Sequence, residues 1–287
     1  MSEKIMNSSV VSKKLRPYQI FSLTRNININ NFKQKIFFAH RARLDLKSIN
    51  TGDPRLKKEI ARAWRVVGRN IPILIQGVSG TGKGVFARAF HNSGPRSVRP
   101  FIELDCASLS NEFLEPELFG RLSRGSGREG FYDNGIINSA LGGTIYFKNV
   151  NNMPLALQSR LCRLIDGCSE TYNTSWSEIS YDISLVFSTN SILKDCYLRG
   201  EIREDLYYRI CSLVINLSPL RERTDIRQLA NYILEFLGAR GEQLSFSEDA
   251  LKAIEENDWP NNISELLGAI CTAISMLRNG EKVINNI

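Results

Sequence analysis

Seven consecutive residues, Gly77-Val78-Ser79-Gly80-Thr81-Gly82-Lys83, have the types and spacing needed to hold phosphate. They fit the pattern GxxxxGK, follow the apolar run Ile71-Pro72-Ile73-Leu74-Ile75 and precede a helical stretch, which is the context a P-loop requires. Glycines there let backbone N–H groups curl round phosphate oxygens while the following helix points its positive end at them. Lys83 would reach the β- and γ-phosphates of a nucleotide. The next residue is Gly84, where most such loops carry Ser or Thr for Mg²⁺. A second run, Gly142-Gly143-Thr144-Ile145-Tyr146-Phe147-Lys148-Asn149-Val150, reads as a strand that ends in an ammonium and an amide. An ammonium cannot ligate a metal, and an amide is a poor base at neutral pH. The two motifs together predict phosphate binding without the acids that drive phosphoryl transfer.

These groups need a sheet to place them. Short apolar runs at Ile71–Gln76, Phe101–Asp105, Thr144–Phe147, Ile183–Ser188 and Cys211–Leu217 alternate with helical spacing. That is the pattern of a parallel α/β sheet buried on both faces. One helix opens at Met153-Pro154 and carries Leu157, Leu161 and Leu164 on one face, with Pro154 suited to a first turn. Thr51-Gly52-Asp53-Pro54 is a turn and cap signal, and Leu56, Ile60, Ala63 and Val66 begin helical spacing after it, so the domain is expected to start there. Beyond Pro219 the strand signals stop. Ile226–Leu237, Ser247–Asn257 and Ile263–Leu277 read as helices only. The expected organisation is an N-terminal extension over 1–50, an α/β nucleotide-binding subdomain over 51–223 and an all-helical lid over 224–287.

Composition narrows the function classes. No apolar run approaches the roughly 18 residues that span a membrane, and the N-terminus lacks a signal-peptide core, so a cytoplasmic protein is expected. Six cysteines without a CxxC pair, and only two histidines, offer no zinc-ligand spacing. Residues 1–59 hold thirteen Lys/Arg against four acids and so carry the positive excess of a chain whose net charge is +7. Such an arm has the charge to touch nucleic acid, but its polar, Asn- and Lys-rich composition is that of a solvated, flexible extension, and we read it so.

The ordered series GVSGTGKGVFARAFH, ELFG (Glu117–Gly120), GGTIYF, PLALQSRLCRLI, STN (Ser188–Asn190), REDLYYRI, PLRER (Pro219–Arg223) and WPNNISEL (Trp259–Leu266) closely resembles the central AAA+ domain of bacterial sigma-54-dependent transcription activators. The resemblance runs from about Gly52 to Leu277. It implies a P-loop AAA+ fold with a helical lid, working as a hexameric ring with ATP between subunits and sigma-54 RNA polymerase as a partner. By the same resemblance, Gly77–Gly84 hold nucleotide, Asn190 is the residue that reads the γ-phosphate, and Arg203 and Arg209 reach into a neighbouring subunit's site. Arginine fingers in other phosphate-transfer systems are worth about 10³–10⁵ in rate.

The departures from the family pattern concern the parts that act. The family strand ends in Asp-Glu where this chain has Lys148-Asn149, and the family asparagine that switches that glutamate corresponds to Asp105. The lid arginine corresponds to Ser264, and the polymerase-contacting GAFTGA loop is replaced by Arg121–Phe131, an exposed loop with three arginines. No helix-turn-helix follows the lid, so direct specific DNA binding is not expected. We therefore expect an ATP-binding domain in transcription regulation with hydrolysis lost or weakened and no metal-ligand set. The alternatives are a pseudo-ATPase that joins rings of an active homologue and a truncated, decayed gene product.

Overall fold

The computed structural model describes residues 44–107, 118, 121–122, 132–133, 135–168, 181–237, 244–277 and 281–287, all within the unit spanning residues 40–287. The expectations for residues 1–43, and for most of the segment Arg121–Phe131, lie outside the described residues. Only the start of that segment is described, where β3 (Arg121–Leu122) pairs antiparallel with β4 (Tyr132–Asp133) just beyond it.

The chain enters with α1 (Pro54–Trp64). Asp53 caps it, its carboxylate accepting from the N–H groups of Arg55 (2.8 Å) and Leu56 (3.3 Å), and Pro54 occupies the first turn, where a missing N–H costs nothing. Val66 falls in the turn beyond this helix. Then follow β1 (Ile73–Gln76), α2 (Lys83–Asn92), β2 (Phe101–Asp105), α3 (Ile136–Ser139), β5 (Thr144–Lys148), α4 (Leu155–Cys168), β6 (Ser184–Thr189), α5 (Leu193–Leu198), α6 (Glu204–Ile210) and β7 (Leu213–Asn216). The sheet is parallel in the order β2-β5-β6-β1-β7, so β1 lies between β6 and β7 and all five carboxyl ends share one edge. Each strand core falls within two residues of its predicted bounds.

Two apolar layers bury the sheet. Tyr146, Ile73, Ile75, Val186 and Ile215 pack beneath Phe86, Ala87 and Phe90 of α2; Leu74, Leu104, Ile145, Phe147 and Phe187 pack on the other face against Leu161, Ile165, Leu206 and Ile210. Burial on both faces explains why the strands read as apolar runs rather than alternating ones. The described cysteines pack as hydrophobes, with burial pushing the thiols of Cys106 and Cys168 up to about 12. No helix among the described residues is long and apolar enough to cross a membrane.

Packing begins before Thr51. Leu46 is fully buried against the α2 face, its N–H donates to Ser93 Oγ (2.8 Å), and Asn92 Nδ2 donates to the Leu44 carbonyl (2.7 Å). A single leucine in a polar stretch gives no periodic signal, so the boundary drawn at the Thr51 turn leaves it out. Leu46→Ala should cost about 2–3 kcal/mol if these residues belong to the domain, as urea unfolding would measure.

Behind the 3₁₀ turn Leu220–Glu222 come α7 (Ile226–Leu237), β8 (Ser245–Phe246), α8 (Glu248–Glu256), α9 (Asn262–Met276) and β9 (Val283–Ile284). The lid core joins Leu229, Ile233, Leu251, Ile254, Leu266 and Ile270 to Trp259, whose indole N–H donates to the Ile254 carbonyl (2.7 Å). The three helices lie where predicted. The lid is helical as expected, with one short addition: β8 and β9 pair in parallel. Two-residue strands so far apart in sequence leave no periodicity to read.

Candidate functional site

The loop Gly77–Gly82 connects β1 to α2, and Lys83 and Gly84 open that helix. Gln76 fixes the strand end: its Oε1 accepts from the Leu193 N–H (2.7 Å) and its Nε2 donates to Asn216 Oδ1 (3.1 Å). The Gly77 N–H donates to the Thr189 carbonyl (3.3 Å), tying the loop to the end of β6. Gly82 stands at the helix N-cap with φ 91°, a conformation L side chains avoid, and makes no side-chain cap. Lys83 folds back over the loop, its Nζ donating to the carbonyls of Gly77 (2.7 Å) and Val78 (2.9 Å), and Thr81 Oγ1 closes the turn on the Val78 carbonyl (2.9 Å). Burial pushes the Lys83 ammonium down to about 8. A partly desolvated cation among glycines at a helix N-terminus is suited to receive an anion.

The lid rests directly on this loop. Asn262, buried and at φ 55°, donates from Nδ2 to the Ser79 carbonyl (2.7 Å) and accepts at Oδ1 from the Leu220 N–H (2.8 Å). One side chain thus joins the loop, the turn into the lid and the start of α9. A Cβ on Gly80 would lie 2.1 Å from the Asn261 carbonyl oxygen, so the loop and the lid backbone are in close contact. The family-like segment Trp259–Leu266 pointed to the lid through Ser264. The side-chain hydrogen bond to the loop comes instead from Asn262, and only the fold reveals it.

Lys148 ends β5 on the same face as Tyr146, the face that α2 covers. Its ammonium pairs with Glu103 Oε2 at 2.8 Å, and Arg88 of α2 approaches Glu103 Oε1 at 3.4 Å while stacking over Phe101 (3.8 Å). Sequence reading missed Glu103 and Arg88. The available signal was a pair of acids, Glu103 and Asp105, at alternate positions of a strand otherwise read as buried.

Asn149 takes a left-handed conformation (φ 52°) and aims its amide both ways. Its Nδ2 donates to Asp105 Oδ1 (2.9 Å), and its Oδ1 accepts from Asn190 Nδ2 (3.0 Å). Asp105 also accepts from the Ala107 N–H (3.0 Å). Asp105, Asn149 and Asn190 therefore form one hydrogen-bonded row along the carboxyl edge, beginning beside the loop. The acids at this edge sit on β2, the cation ends β5 and the amide follows it.

Arg203 and Arg209 lie at the two ends of α6, away from this row. Arg203 pairs with Asp205 (3.0 Å), nearly half exposed, while Arg209 makes a two-pronged pair with Asp166 (2.7 and 3.1 Å) and donates to the Asp205 carbonyl (3.0 Å). Both guanidiniums are engaged within their own chain. Among the described residues no three His, Cys, Asp or Glu side chains gather as a metal set would.

The chain is 35% identical over 240 residues to the transcriptional regulatory protein GlrR of Escherichia coli, covering 80% of this chain and 53% of that protein. It is 35% identical over 237 residues to the Nif-specific regulatory protein of Rhodobacter capsulatus, covering 82% and 41%. It thus spans about half the length of these curated relatives. The fold is shared with NtrX from Brucella abortus, solved in complex with ATP, at a TM-score of 0.67 and 24% identity over 82% of this chain and 54% of that one. Residues 49–216 match the sigma-54 interaction domain and residues 221–285 the AAA+ ATPase lid domain. The chain belongs to the sigma-54 interaction domain family of transcription regulators, with an AAA+ lid behind the α/β sheet.

Proposed function

We propose that this domain binds ATP in the loop Gly77–Gly84 and takes part in transcription regulation as a nucleotide-holding element, with hydrolysis lost or weak. The observation that carries the reading is the pairing of Lys148 with Glu103 at the end of β5. Where relatives present acids to metal and water, this chain presents an ammonium already matched to a carboxylate. Lys83 and the loop amides supply the phosphate contacts, and Asn190 is the side chain at the edge for a terminal phosphate to meet. The ATP complex of NtrX, a protein of the same fold, is in keeping with this. Sigma-54 RNA polymerase, a ring of like subunits and a cytoplasmic setting complete the reading.

Calorimetric titration with ATP tests the binding half, and its pH dependence identifies the lysine. In the free protein Lys83 keeps its proton below about pH 8 and loses it as pH rises through that value. Bound phosphate favours the charged form. Affinity should therefore fall about tenfold between pH 7 and pH 9, with net proton uptake on binding at the higher pH. A Kd that does not move across that window, or no binding at pH 7, would remove Lys83 from the role.

A second reading, a pseudo-ATPase that completes the site of an active relative, draws on Arg203. Its pair with Asp205 is half exposed and such pairs are weak, so the guanidinium can be released toward a neighbour. Co-purification with an active homologue, abolished by Arg203→Ala, supports it. A chain indifferent to that homologue removes it.

A further inference from the structure

The family implies a magnesium ion beside the nucleotide, and the donor set of this chain does not fit one. The position after Lys83 is Gly84, which offers no hydroxyl, and the end of β5 carries the Lys148 ammonium, bonded to Glu103. A hard divalent cation needs several oxygen ligands, and an ammonium in their midst repels it. The end of β5 thus supplies a cation, and the neighbouring acids of β2, Glu103 and Asp105, are already bonded to Lys148 and Asn149.

We infer that the ligand of this site is metal-free nucleoside triphosphate, with Lys148 standing in for the divalent cation. This rests on the nucleotide reading above and adds the form of the nucleotide to it. Three features of the geometry carry it. Lys148 lies on the α2 face at the edge where Asn149 and Asn190 lead to the loop. Its side chain is about a third exposed, so its pair with Glu103 is of the kind that contributes little and exchanges readily. Arg88 approaches the same carboxylate, so Glu103 keeps a cation beside it when Lys148 turns to a polyphosphate. Lys83 of the loop and Lys148 of β5 then offer two ammonium groups to a triphosphate, the second supplying part of the charge a divalent cation would bring.

The test is a pair of ATP titrations of the full chain, one in excess EDTA and one in millimolar Mg²⁺. The inference predicts binding in EDTA that is as tight as, or tighter than, binding in Mg²⁺. Lys148→Gln should weaken the EDTA binding about tenfold or more, while Lys148→Arg, which keeps the charge, should retain it. Thermal unfolding of both variants checks that they fold. Affinity that rises tenfold or more on adding Mg²⁺, or a folded Lys148→Gln that binds unchanged in EDTA, overturns the inference and leaves the nucleotide reading standing. No binding under either condition overturns both.

Discussion

Lys148→Asp combined with Asn149→Glu is expected to leave the chain unable to turn over ATP, although it installs the acid pair that the family resemblance implies for this strand end. The partners of these residues explain why. Lys148 Nζ lies 2.8 Å from Glu103, so an aspartate placed there would face a carboxylate instead of a metal. Asn149 donates to Asp105 at 2.9 Å, so a glutamate there would meet a second carboxylate at the same contact. Two carboxylates cannot keep that contact without a proton between them, and a protonated base cannot polarise water. The acids lie on β2 and the amide just beyond β5, so both ends must be changed together. Adding Glu103→Ala and Asp105→Asn should therefore raise phosphate release at least about 10²-fold above the double variant, the lower range for a positioned base. Steady-state phosphate release by the two variants measures it. Full turnover in the double variant would show that Glu103 and Asp105 do not matter.

The largest loss of stability is expected at the seam between loop and lid. Asn262→Ala removes the partner of the Ser79 carbonyl and of the Leu220 N–H at once, and places alanine at φ 55°. Stranding the buried Leu220 N–H costs about 1–3 kcal/mol and a left-handed alanine adds about 1 more, giving a loss of about 2–4 kcal/mol before the part-buried Ser79 carbonyl is counted. Gly80→Ala attacks the same seam from the other side, since its Cβ would meet the Asn261 carbonyl oxygen at 2.1 Å and backbone must move. Chemical denaturation measures both. Losses under 1 kcal/mol would mean that the lid does not hold the loop in the way described.

How far these features could be read from sequence depends on how local they are. The loop, the sheet strands and α7–α9 rest on contiguous patterns, so spacing alone located them, and Lys148 and Asn149 stood out by type. Their partners did not, because Glu103 meets Lys148 only through the β2–β5 register and Arg88 only through the packing of α2 on the sheet. Asn262 reaches Ser79 across most of the domain, which no periodicity encodes. The same holds for Asp166, whose pair with Arg209 follows from α4 packing against α6. Arg203, by contrast, does take its near neighbour Asp205.

The edge, with a cation ending β5, an amide just beyond it and acids on β2, supports the proposal of a domain that holds nucleotide without consuming it. The most direct measurement is recovery of the bound nucleotide. The chain would be equilibrated with γ-labelled ATP, freed of unbound label and extracted after hours at 25 °C. The account predicts about one intact ATP per chain. Bound ADP, formed at the rate of a relative that carries Asp-Glu at the end of this strand, would contradict it, as would a chain that retains no nucleotide.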